Sequence, residues 1–311
     1  SVVIPAYRVT EYIATTLESV FEQTFDRSEV IVVNDGCPDT DSLERVLAPY
    51  RDRILYVKQE NQGVSAARNA GILRASAPLV ALLDSDDAWE PTYLAVHVGM
   101  MESDPTLSVA YPDSVLFGDS SDAGKLQSDL SPVRTEVTFE NLVLMECQVV
   151  TSAVIRLEVL RQAGLFDPSL RRAEDFDLWL RIAKMGGKFA CSGQPLLRYR
   201  RRSSSLTVNG ALMRKSGLEA LQKCERTMTL NASEQNALSE AKHLFQAEAD
   251  YYAGRQYFAS RNFSEAIEHF SAANRYFKSF KTSVAIALLR IAPGLVYWLA
   301  SLRKESNSGE Q

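Results

Sequence analysis

Asp84, Asp86 and Asp87 close the run LVALLDSDD, so an apolar stretch of strand character stops on three carboxylates within four positions. If strand geometry persists, the side chains of Asp84 and Asp86 share one face with roughly 7 Å between their Cα atoms. Two carboxylates so placed can hold a hard divalent cation through oxygen, which makes a phosphate-bearing substrate the first expectation. Read alone, DSDD serves equally well as a solvated turn capping the helix that follows. Three other polar strand ends favour the metal reading.

Glu174 and Asp175 stand just ahead of Leu178, Trp179 and Ile182, which recur at helical spacing. The pair therefore falls in the first turn of an amphipathic helix, where the dipole favours acids. A carboxylate is also what an attacking hydroxyl needs as a base. Trp179 is most simply core. By themselves Asp35 before Gly36 reads as a turn residue, Asn61 as a loop residue, and Arg68 in SAARNAG as an exposed helix charge. Arg198, Arg200, Arg201 and Arg202 in LLRYRRRSSSLT read as charges on an edge strand.

These groups need elements to bring them together. SVVIPAY is β-rich, and Tyr12, Ile13, Leu17, Val20 and Phe21 give helical spacing over residues 10–23. The alternation repeats with EVIVVND and a helix through Leu43 and Val46, with ILYVKQEN and a helix through Val64 to Leu73, and with PLVALLD and a helix after Pro91. Such repetition predicts an α/β fold with a mostly parallel sheet flanked by helices. Ligands of such sheets bind beyond the carboxyl ends of the strands. Those ends are Pro5-Ala6-Tyr7, Asn34-Asp35-Gly36, residues 60–63 and residues 84–87, so one site built from four loops is expected. The first strand is followed by AYRVTEY, without glycine, so neither GxGxxG nor GxxxxGK[ST] is present there. Phosphate must then be neutralised another way, and a carboxylate-bound metal, sometimes with Arg, does so.

PAY, VNDGCPDTD, ENQGVSAARNAG, LLDSDD and AEDFDLWLRI, in this order, resemble family 2 glycosyltransferases of GT-A fold over roughly residues 1–207. The resemblance implies an inverting, Mn²⁺- or Mg²⁺-dependent transfer of a sugar from a nucleotide-diphosphate donor. It implies Asp86 as direct metal ligand and Asp84 near the ribose or the metal, with Ser85 between them among the donor-binding residues. Asp35 would meet the base, with Pro5, Ala6 and Tyr7 as the wall nearby. Arg68, and less strongly Asn61, would lie close to the nucleotide. Asp175 would be the catalytic base, with Glu174 its neighbour at the acceptor site. Many members carry a metal-ligating His where register places Arg202, and an Arg there suits diphosphate instead.

The balance of 46% hydrophobic and 23% charged residues in 311 is that of a globular protein with a substantial core. A net charge of −5, with no basic stripe interleaved with aromatics, excludes nucleic acid as an expected partner. Cys37, Cys147, Cys191 and Cys224 are scattered and give neither a zinc site nor a disulfide framework. A reducing, cytoplasmic compartment fits, with peripheral contact to the cytoplasmic face of a membrane as an added expectation. The chain opens inside a strand without Met, so a few native residues are expected to precede it.

Residues 118–132 are polar, small and aperiodic, and read either as a mobile loop closing over donor and acceptor or as a surface insertion. Helical spacing takes over after residue 209. The expected division is a transferase domain at 1–209, a helical region at 210–282, an apolar C-terminal helix at 283–304 and a disordered tail at 305–311. Gly254, Tyr257, Phe263, Ala266, Phe270 and Ala273 fit a tetratricopeptide-like helix pair, which must pack on a neighbouring helix or a second subunit. Arg290 and Pro293-Gly294 argue against a membrane span for the last apolar run. Tyr297, Trp298, Arg303 and Lys304 suit a helix in the membrane interface, or the run caps the repeat. The functional expectation is a glycosyltransferase with a glycan or lipid-linked acceptor, the helical region serving a homodimer, a protein partner or membrane approach. A nucleotidyltransferase would carry a glycine-rich basic loop after the first strand. The remaining alternative is an inactive transferase-like scaffold.

Overall fold

β-branched residues dominate the first apolar runs and extend them as strands. β1 (Val2–Ala6) and β2 (Val30–Asp35) are buried along their whole length, as parallel strands covered on both faces should be. β3 (Leu55–Gln59) is partly exposed and β4 (Leu79–Leu82) carries LVAL. The computed structural model describes residues 1–131, 136–201 and 210–308, with side chains to residue 300. These four strands pair all parallel in the order β3-β2-β1-β4, with Ala6 opposite Asn34, Asp35 opposite Gln59 and Val3 opposite Leu82. Their carboxyl ends share one edge, and the order reverses at β1, which opens a crevice there.

The sheet continues with β5 (Ala88–Trp89), β6 (Leu107–Gly118), β7 (Val154–Arg156) and β8 (Lys188–Arg201) to the order β3-β2-β1-β4-β7-β6-β8-β5. β7 runs antiparallel to β4 and β6, β5 antiparallel to β8, and β6 parallel to β8. The expected mostly parallel sheet is thus parallel through its first four strands and mixed as a whole. β8 lies between β6 and β5, and β5 pairs with it at Leu197 and Arg198, so Arg198 does not stand on a free edge as expected.

The helix Ile13–Phe21, shorter than the 10–23 expected, covers the sheet with Ile13, Leu17 and Val20. Helix Val64–Ile72 approaches β1 so closely that a Cβ on Gly71 would lie 2.4 Å from Val3 Cγ1. In the polar stretch 118–131, Lys125 O accepts from Leu116 N at 3.0 Å and Gly124 N donates to Leu116 O at 2.7 Å, while residue 132 lies outside the described residues. A short helix, Gln127–Leu130, follows, its Ser128 hydroxyl donating to Asp113 at 2.6 Å. Local backbone bonds tie this polar stretch to β6, and polarity alone does not reveal them.

Residues 1–205 form one compact unit and 206–311 a second. The second consists of helices Gly210–Thr227, Ala232–Ala259, Phe263–Phe277, Phe280–Ile291 and Pro293–Ser308. Asn231 and Glu234 form a capping box at the start of the longest helix. A Cβ on Gly254 would lie 2.7 Å from Phe270 Cδ1, so the small residue admits the aromatic ring of the next helix. The apolar run expected over 283–304 is two helices, broken at Pro293-Gly294, because Pro293 lacks the N–H and the chain restarts there. Helix persists to Ser308, past the tail expected from 305; residues 309–311 lie outside the described residues.

Candidate active site

Beyond β4 the chain turns sharply, Asp87 N donating to Asp84 O at 3.0 Å. Thr16, 1% exposed on the first helix, places its hydroxyl 2.7 Å from Asp87 O and 3.0 Å from Ser85 O and so clamps the turn from below. Ser85 and Asp87 are buried, while Asp84 and Asp86 stay partly exposed. The Asp87 carboxylate accepts from Arg200 N at 2.8 Å, and Arg200 Nε donates to Asp86 O at 2.8 Å. The Arg200 guanidinium lies 4.6 Å from the Tyr12 ring centre and 4.3 Å from that of Phe117. Burial, then the charges of Asp86 and Asp84, push the Asp87 carboxyl well above the usual range.

Arg68 joins this turn to the ED motif. Its Nη2 donates to Asp84 Oδ1 at 2.6 Å and its Nη1 to Glu174 Oε1 at 2.7 Å, with the side chain only 3% exposed. Gly71 explains the reach, since it lets the helix settle on β1 and Arg68, three residues earlier, occupies the same helix face. Burial opposes the charge on Arg68, but Asp84 and Glu174 outweigh it and raise the pKa further. Arg68, expected as a nucleotide contact, therefore spends both terminal nitrogens on carboxylates. Glu174 is buried, and burial raises its pKa against the pull of Arg68, with Asp175 adding to the rise.

Asp175 is partly exposed, and its Oδ2 accepts from Thr151 Oγ1 at 2.6 Å. Ala173, just before the pair, holds φ at 56°, a left-handed conformation that a Cβ disfavours. Next to Thr151, Ser152 accepts from Trp89 Nε1 at 2.8 Å. The Trp89 ring stacks on Tyr93 at 4.0 Å, and Tyr93 meets His97 at 4.4 Å. The Trp89 indole thus joins the strand after the aspartate turn to the segment that holds Asp175, and the ring stack continues into the helix Tyr93–Ser103.

At the other side of the crevice, Asp35 is 2% exposed and densely hydrogen-bonded. Its carboxylate accepts from Gln59 Nε2 at 2.8 Å, Gln62 N at 2.9 Å, Gly63 N at 2.8 Å and Asn61 Nδ2 at 3.3 Å. Gly36 makes this cage possible: its φ is +62°, and a Cβ there would lie 2.5 Å from Asn61 N. Pro5 and Ala6 are buried at the end of β1, and Tyr7 is 41% exposed beside them. Arg202 lies outside the described residues. Thr16, Thr151 and Arg200 escape sequence reasoning, since a threonine has no diagnostic spacing and Arg200 is one of several arginines.

Among the described residues no cluster of three His, Cys, Asp or Glu side chains is placed to hold a metal. Asp84 and Asp86 nevertheless fit Mg²⁺ or Mn²⁺, which are commonly held by one or two carboxylates with the rest of the shell from water and substrate phosphate.

Residues 1–162 match the family model described as glycosyl transferase family 2. The amylovoran biosynthesis glycosyltransferase AmsB of Erwinia amylovora is 31% identical over 209 residues, 64% of this chain and 68% of AmsB. An uncharacterized glycosyltransferase of Rickettsia felis is 27% identical over 60% of the chain, and the match spans only 31% of that longer protein. Among solved structures, S. aureus TarS 1-349 in complex with UDP-GlcNAc has a TM-score of 0.64 at 16% identity, over 93% of this chain and 90% of that one. Mannosyltransferase PcManGT from Pyrobaculum calidifontis, in complex with GDP-Man and Mn²⁺, gives 0.63 at 18% identity over 97% of this chain and 82% of that one. At such identities the two structures establish a shared GT-A-like fold.

Proposed function

The chain belongs to glycosyl transferase family 2, and from that premise we propose that it moves a sugar from a nucleoside-diphosphate donor to an acceptor hydroxyl with inversion at the anomeric carbon. The observation that carries the reading is the bridge from Asp84 through Arg68 to Glu174 beside Asp175, which joins the donor-side carboxylates to the base motif at the crevice of the sheet. Pro5, Ala6 and Tyr7 wall the nucleotide base, while Asp35 and Asn61 shape the rim beside it. Asp86, with Asp84, would hold Mn²⁺ or Mg²⁺, and Ser85, in the same turn, would line the donor side of the site. A divalent ion held by these carboxylates would supply Lewis-acid stabilisation of the charge on the departing nucleoside diphosphate.

Asp175 accepts the acceptor's hydroxyl proton as that oxygen bonds to the anomeric carbon, from the face opposite the departing phosphate oxygen. Thr151 donates to one carboxylate oxygen and fixes the rotamer. Glu174, tied to Arg68, borders the acceptor. AmsB, named for amylovoran biosynthesis, favours a glycan or lipid-linked acceptor in cell-surface polysaccharide assembly, reached from the cytoplasmic side of the membrane.

The test is thermal stabilisation by UDP, GDP and their sugars, each with Mn²⁺, Mg²⁺ or EDTA, on the parent and on Asp86→Asn. A ligand at 100 times its dissociation constant adds about 2.7 kcal/mol. One nucleotide should stabilise the parent only with metal, and Asp86→Asn should lose that effect. No stabilisation of a folded parent by any ligand would leave the inactive scaffold as the better reading.

A further inference from the structure

Helix Phe280–Ile291 has two apolar faces, of which one is buried and the other exposed among the described residues. Ile286 and Leu289, at 7% and 3% exposure, face the rest of the helical unit. Phe280, Val284, Leu288 and Ile291 are 81%, 42%, 50% and 82% exposed. At about 100° per residue these four fall in one stripe, roughly opposite the buried pair, with Lys281 and Arg290 at its two margins. The next helix adds Leu295, Trp298 and Leu299, each more than half exposed. Tyr276 and Phe277, at the end of the preceding helix, are 39% and 42% exposed. Tyr297 does not belong to this surface, because its ring meets Phe258 at 5.4 Å and Phe263 at 6.1 Å.

Charge selects the occupant. No acidic residue occurs between Glu268 and Glu305, whereas Arg275, Lys278, Lys281, Arg290, Arg303 and Lys304 do. The chain as a whole is acidic, with a net charge of −5, so the concentration of cations around exposed apolar side chains is local. A second copy docking stripe to stripe would bring Lys281 and Arg290 against like charges. An anionic bilayer surface offers phosphate to the cations and acyl chains to Phe280, Ile291 and Leu295. No helix among the described residues is long and apolar enough to cross a membrane, so the contact lies in the interfacial plane. We propose that Phe280, Val284, Leu288, Ile291, Leu295, Trp298 and Leu299, bordered by Lys281 and Arg290, form a surface that docks on anionic lipid bilayers. The inference rests on the helical unit alone and stands apart from the transferase reading.

The chain contains three tryptophans, and Trp89 and Trp179 are 3% and 2% exposed against 55% for Trp298, so lipid contact reads out through one residue. The experiment mixes the chain with phosphatidylcholine vesicles, with and without about one-third phosphatidylglycerol, carrying bromine-labelled acyl chains, and follows co-sedimentation and tryptophan quenching. Co-sedimentation with quenching is expected on the anionic vesicles. Lys281→Glu with Arg290→Glu should weaken it on the order of tenfold. Phe280→Ser with Ile291→Ser, at positions too exposed to affect folding, should abolish the quenching. Absence of binding to anionic vesicles, or binding unchanged in both double variants, would overturn the proposal. So would a concentration-dependent dimer dissolved by the Phe280→Ser and Ile291→Ser pair, which would assign the stripe to a second copy.

Discussion

Asp175 and Arg68 stand near one another in the site yet do different work, and a pair of substitutions separates them. Asp175→Asn leaves the Thr151 contact available and removes a partly exposed charge. Its expected effect is a loss of about 10²–10⁴ in transfer rate with donor affinity and stability nearly unchanged. Arg68→Met keeps the volume but strands Asp84 and Glu174, whose side chains are 33% and 11% exposed, without their shared cation. Breaking such a pair costs about 3–5 kcal/mol, so urea midpoints should fall and nucleotide binding should weaken together. Equal stability in the two variants would remove Arg68 from its role as the link. The carboxylates were legible because each follows a strand or opens a helix. The link was not, because a buried arginine and an exposed one look alike in sequence, and Thr151 carries no spacing signal.

Elements hold these residues in place through contacts that periodicity only partly reveals. The four parallel strands could be read from β-branched runs alternating with helical spacing. β5 and β7, of two and three residues, were too short to show any period, and the pairing of β6 with β8 joins segments about eighty positions apart. Helix Tyr93–Ser103 shows how an element reports on itself through pH. His97 is fully buried there, with Nδ1 donating to Tyr93 O at 2.7 Å. Burial lowers its pKa below the ordinary value, against the opposing pull of the backbone carbonyls of Tyr93 and Tyr111. The unfolded chain therefore takes up a proton near pH 6.5 that the folded chain refuses. Stability from this group is present above that pH and falls as pH drops below it toward the folded value. Between pH 7.5 and 5.5 the urea midpoint of His97→Gln should decline less than that of the parent, and parallel declines would exclude His97 as a source of acid sensitivity.

At the scale of the molecule, two ligand classes are proposed for two units: nucleotide and metal for residues 1–205, lipid for residues 206–311. The class of each unit was legible, since strand signals end where helical spacing begins. The lipid-facing stripe was only partly so: the apolar run and its break at Pro293-Gly294 could be read, but not that the exposed face extends over two helices and back to Phe280. Amide exchange separates the two assignments. Donor nucleotide with Mn²⁺ should slow exchange at residues 61–63 and 84–87, where backbone amides such as Gly63 N and Asp87 N already serve the site's turns. Anionic vesicles should instead slow exchange within residues 278–300, because helix ends around Ala292 and Pro293 fray less when their apolar face is covered. Vesicle protection at the aspartate turn, with none at 278–300, would mean that lipid reaches the chain through the donor site and that the exposed stripe has another occupant.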